Sequence, residues 1–151
     1  MGKIVAVYDS KLYRLFVALD KKEHRQFKKW LQSPLHVSHD EVRRIFDFLY
    51  TRSQLSAFSL QKPKLWRYLY AEQSYDDNRL RSLLHLALES LQKFVGFFAV
   101  QSDTFLWEER FAQRLQLKGL EAPAAKCINK LQQSLEQREY EDADFFEQHC
   151  R

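Results

Sequence analysis

The stretch DDNRLRSLLHLALESLQKFVGFF, residues 76–98, decides the fold. Leu80, Leu83, Leu84, Ala87, Leu88, Leu91, Val95 and Phe98 recur at steps of three and four, the period that lines side chains along one side of an α-helix. Asp76 stands where a carboxylate accepts the unbonded amides of a first turn. The segment is long enough for about six turns. Near its end Phe94, Phe97 and Phe98 spread apolar surface over most sides, so the spacing predicts a central helix that others surround.

Working outward, the same signals repeat. Ser10 caps a first helix carrying Leu12, Leu15, Phe16 and Leu19. Asp20 followed by Glu23 forms a capping box and predicts a helix from Lys21 to about Ser33, with Phe27, Trp30 and Leu31 on one stripe and Pro34 as the stop. Ser38-His39-Asp40-Glu41 reads as a second box ahead of Val42, Ile45, Phe46 and Leu49. The polar stretch Thr51 to Ser59 is expected to be a loop, and Pro63 belongs in the first turn of a short helix with Leu65, Trp66, Leu69 and Tyr70.

Beyond the long segment, Ser102 or Asp103 caps a helix with Phe105, Leu106, Phe111, Leu115 and Leu117, ended by Gly119 in the left-handed turn that glycine tolerates. Leu120 to Pro123 opens the next, with Cys127, Ile128, Leu131 and Leu135 facing inward. A last helix is expected from about Tyr140 through Phe145 and Phe146. Met1 to Val7 is β-branched and without a partner strand, so an extended arm is expected. The prediction is an all-α fold of about eight helices, built as antiparallel hairpins stacked around a long central helix in one domain.

Composition agrees. Three Gly and three Pro in 151 residues leave little material for tight turns, and an aromatic content of 15% supplies large rigid core side chains. Charge is uneven: residues 1–54 sum to +5, residues 55–101 to +2 and residues 102–151 to −3. Cys127 and Cys150 form no paired motif and are expected to be reduced. No signal peptide is read at the start, and the longest apolar run, Phe94 to Val100, falls short of the ~20 residues that cross a bilayer. The expectation is a cytoplasmic protein with no membrane association.

Two stretches carry a family resemblance: residues 19–34, LDKKEHRQFKKWLQSP, and residues 75–81, YDDNRLR. They resemble the opening region of long, all-helical, uncharacterised proteins of Bacteroidetes, and the region of Gly119 and Asp142-Ala143-Asp144 resembles the start of their helical repeats. The resemblance implies the front of a longer helical-repeat protein, and no activity.

Chemistry is sparse. There is no phosphate-cradling loop, HExxH or GxSxG motif, so no enzyme activity, metal or cofactor is expected. His36-x-x-His39 beside Asp40 has zinc-type ligands but falls at a turn without a third ligand, which favours surface histidines. The basic face of the second helix, Lys21, Lys22, Arg25, Lys28 and Lys29 with Arg43 and Arg44 close by, is the nucleic-acid candidate against the plainer reading of a solvated surface. Phe145 and Phe146 are adjacent, so both cannot enter one groove, and they mark an apolar edge for a partner protein or the rest of a longer chain. Protein interaction leads these readings, and nucleic-acid binding is the alternative.

Overall fold

A computed structural model describes Val7 and residues 10–52 and 60–149, with side chains as far as residue 137. These residues form seven α-helices and no β-strand: α1 (Lys11–Ala18), α2 (Lys21–Gln32), α3 (Asp40–Arg52), α4 (Lys62–Leu69), α5 (Asp77–Ser102), α6 (Thr104–Leu117) and α7 (Glu121–His149). The all-α expectation holds, and most boundaries follow the capping signals. Ser10 Oγ accepts the Tyr13 amide, Asp76 Oδ1 the Arg79 amide, and Asp103 Oδ1 the Leu106 amide. At α2 the box closes both ways: Asp20 accepts the amides of Lys22 and Glu23, and Glu23 accepts the Asp20 amide at 2.8 Å.

Three expectations change. The last two expected helices are one, because from Ala124 to His149 no proline or glycine interrupts the ladder. Helix α3 runs through Thr51 and Arg52, where the Thr51 hydroxyl donates to the carbonyls of Asp47 and Phe48; residues 53–59 of the expected loop lie outside the described residues. Leu135, read as inward-facing, is 44% exposed, and Phe97, where surrounding helices are expected, is 48% exposed; Phe111 and Leu117 of α6 are exposed as well. Helix α5 as a whole is long and apolar enough, by length and composition, to cross a bilayer, although its longest unbroken apolar run is short. Of the expected arm, residues 1–6 lie outside the described residues; Val7 is buried and its amide donates to the Leu60 carbonyl.

The chain divides into two compact units, Met1–Gly96 and Phe97–Arg151, with the boundary inside α5. In the first unit the core is aromatic. Phe27 from α2 meets Phe46 from α3 edge-on at 4.7 Å and Phe94 from α5 at 5.0 Å, and all three are buried. Phe16 from α1 completes the cluster at 6.0 Å from Phe46. Leu80, Leu83, Ala87 and Leu91 bring one face of α5 into the same core, as its spacing predicts.

The rest of this unit is fastened by polar contacts at its rim. Lys62, the buried cation of α4, lies 3.4 Å from Asp77 at the start of α5, and Asp77 also takes Arg81 at 2.7 Å and the Tyr75 hydroxyl at 2.8 Å. The Tyr75 hydroxyl, then the two cations, hold the Asp77 carboxyl below its ordinary range, while burial and Asp77 push Tyr75 up to about 12.

In the second unit α6 and α7 form a helical hairpin. Gly119 has φ +73°, its amide donates to the Gln116 carbonyl, and the Leu120 amide reaches back to Leu115, the double bond that closes a helix end. Ala112, Ala124 and Leu131 are the buried apolar residues that α6 and α7 contribute among those described. Glu108 pairs with Lys130 across the hairpin.

Two outcomes are expected from denaturant unfolding. Phe27→Ala removes the ring shared by three helices and costs about 3–5 kcal/mol, whereas Val17→Ala, at an exposed position, stays within roughly 0.5 kcal/mol. Asp77→Ala leaves the buried Lys62 ammonium without its carboxylate and lowers stability more than Lys62→Met, which removes the charge and fills the same space.

Candidate functional site

The seven predicted cations do not share one surface. Lys21, Lys22, Arg25, Lys28 and Lys29 are all exposed on α2, the side opposite Phe27 and Leu31, as a helix with that charge pattern requires. The two arginines of α3 are drawn into the packing. Arg43 Nη2 donates to the Val37 carbonyl at 2.8 Å, and its Nε is buried without a hydrogen-bond partner among the described residues. Arg44 Nη2 donates to the Tyr68 carbonyl at 2.6 Å, and its guanidinium lies over the Tyr68 ring.

Lys28 and Arg43 both line a half-open cleft of about 480 Å³ between α2, α3 and α4, together with Asp47, Tyr50 and Tyr68. The Lys28 ammonium lies 4.6 Å over the Tyr50 ring, and Asp47 adds a carboxylate to the same wall. Burial pushes the Tyr50 hydroxyl up to about 12, so it stays a neutral phenol, 3.0 Å from His24 Nδ1. The cleft therefore mixes both signs of charge around aromatic walls.

His36 and His39 flank a smaller hollow of about 180 Å³ with Glu89, Ser90 and Lys93. The His36 ring stacks on Trp30 at 3.7 Å, nearly parallel, which gives it a packing role. No group of three or more metal-ligating side chains is assembled among the described residues.

The second unit presents a different surface. Trp107 and Phe111, one turn apart on α6, stack with ring centres 5.2 Å apart and are 48% and 44% exposed. Arg110, Arg114 and Lys118 are exposed on the same outer side, opposite the buried Ala112. With Leu117 and Leu120 exposed at the turn, apolar surface gathers on a hairpin that has little apolar interior of its own. The sequence carries this stripe in the spacing 107, 111, 114 and 118, but an aromatic at a helical step is ordinarily a core residue, so the spacing does not single it out.

No family model, curated protein or solved structure matches this chain. The expected docking edge, Phe145 and Phe146, falls within the backbone of α7, and its side chains lie outside the described residues. Cys127 is half-buried and free; Cys150 lies outside the described residues.

His24, the hydrogen-bond partner of Tyr50, carries a pH dependence. Burial first, then the Lys28 ammonium, lower His24 from its ordinary 6.5, with Glu23 and Asp20 acting the other way. The folded state thus holds this proton more weakly than the unfolded chain, so the associated stability is present above pH 6.5 and is lost as pH falls through the folded value. The lowered carboxyls, Glu41 and Asp77, start from 4.5 and 3.8 and titrate below this window. Denaturant midpoints are expected to fall between pH 7.5 and 5.5, and to fall less in His24→Gln; equal slopes in the two proteins would remove His24 as the cause.

Proposed function

We propose that this protein is a protein–protein interaction module of helical-hairpin type, with its second unit as the docking region. The observation that carries the reading is an imbalance. Helices α6 and α7 bury two alanines and a leucine, while they and the turn between them expose Trp107, Phe111, Leu117, Leu120 and Leu135. Hot spots of protein interfaces draw on Trp, Tyr and Arg, and the outer side of α6 offers one tryptophan and two arginines next to a phenylalanine.

Hairpins that cannot cover both faces are the units from which helical-repeat proteins are assembled, which accords with the resemblance of residues 19–34 and 75–81 to such proteins. The acidic second half of α7, with Phe145 and Phe146 in its sequence, belongs to the same docking region. The basic face of α2 supports nucleic-acid binding less well, because Arg43 and Arg44 donate to carbonyls of their own unit.

The test is photochemical. With a photoreactive phenylalanine in place of Trp107 or Phe111, irradiation in the native cells is expected to give adducts of higher mass, and the same probe in place of Val17, 51% exposed on α1, to give none. Absence of adducts at both α6 positions would overturn the reading.

A further inference from the structure

The outer side of α6 is basic as well as aromatic. Arg110, Arg114 and Lys118 are exposed there, none of them in an ion pair among the described residues; of the acids of this helix, Glu108 faces Lys130 of α7, and Glu109 accepts from the Gln113 side chain, whose Oε1 accepts from Arg110. The opposite charge is on the same chain. Residues 136–149 of α7 carry Glu136, Glu139, Glu141, Asp142, Asp144 and Glu147 against one basic residue, Arg138, and include Tyr140, Phe145 and Phe146.

Within one hairpin helix length sets the two apart. Helix α6 has 14 residues and α7 has 29, about 21 and 43 Å, and the tight turn at Gly119 starts their pairing at the junction. Pairing with α6 therefore ends about halfway along α7, consistent with Glu108–Lys130 and the buried Leu131. The acidic half projects past its own α6. A helix of net charge −5 that also carries three aromatic residues is the chemical complement of a stripe with three cations and two aromatics.

We propose that this protein self-associates through its second unit, the basic aromatic side of α6 in one copy receiving the acidic half of α7 from another. The contact is reciprocal, each copy giving one helix and taking one, so it closes as a two-fold dimer and is made twice. The basic face of α2 matches the acid by charge alone. The rings beside it, Tyr50 and Tyr68, already lie under Lys28 and Arg44, which is why α6 is the favoured receptor. The proposal rests on the interaction-module reading and names its partner as a second copy.

Sedimentation of the purified full chain tests it. A dimer is expected at low ionic strength, with association roughly tenfold weaker at high salt. Arg110→Glu/Arg114→Glu/Lys118→Glu and Glu136→Lys/Glu139→Lys/Asp142→Lys are each expected to sediment as monomers with unchanged helical circular dichroism. Their equimolar mixture is expected to recover the dimer, which misfolded variants would not do. A monomer at every concentration overturns the proposal, while adducts to other proteins at Trp107 would leave the interaction reading standing. A dimer that survives the α6 reversals but is lost in Lys21→Glu/Lys29→Glu also overturns it.

Discussion

The first unit depends on one shared ring. Phe27 is fully buried at the point where α2, α3 and α5 converge, and its contacts with Phe46 and Phe94 hold these helices at distances that rigid side chains set. Edge-on packing of this kind adds directional preference to the general gain from burying apolar surface, so the cluster fixes orientation as well as proximity. Phe16 joins the same cluster from α1 and also meets His24 and Tyr50, which places the cleft's aromatic wall directly on the core.

That constraint explains where the arginines of α3 go. With Val42, Ile45, Phe46 and Leu49 committed inward, Arg43 and Arg44 emerge at the flanks of α3, within reach of the carbonyls of Val37 and Tyr68. Bonds from a guanidinium to a chain carbonyl satisfy groups that would otherwise lose their water on packing. The positive charge of this region is therefore partly structural, and its open basic surface is that of α2.

The second unit is organised by the opposite principle. Its hairpin is defined by a glycine turn and one cross-helix ion pair, and small side chains at Ala112 and Ala124 let two helices approach closely without a large interior. Close approach of this kind leaves bulky residues on the outside. Trp107, Phe111 and the neighbouring cations consequently form an exposed surface on its outer side.

Local chemistry made the helix starts legible in the sequence: a side-chain oxygen three residues from an unbonded amide acts the same way wherever it occurs, as at Ser10, Asp20, Asp76 and Asp103, and Gly119 announces its turn because few other residues accept φ +73°. The sequence also marked the buried face of α5 and the inward stripe of α3, where periodicity and packing coincide. It misread the span of α7, because its division near Tyr140 needed a breaker that residues 124–149 do not contain. What only the tertiary structure decided was the fate of side chains that can serve either of two environments. Leu135 reads as inward-facing and is exposed, and Arg43 reads as surface and is bound to Val37, because burial is settled by which other helix arrives and not by the residue itself.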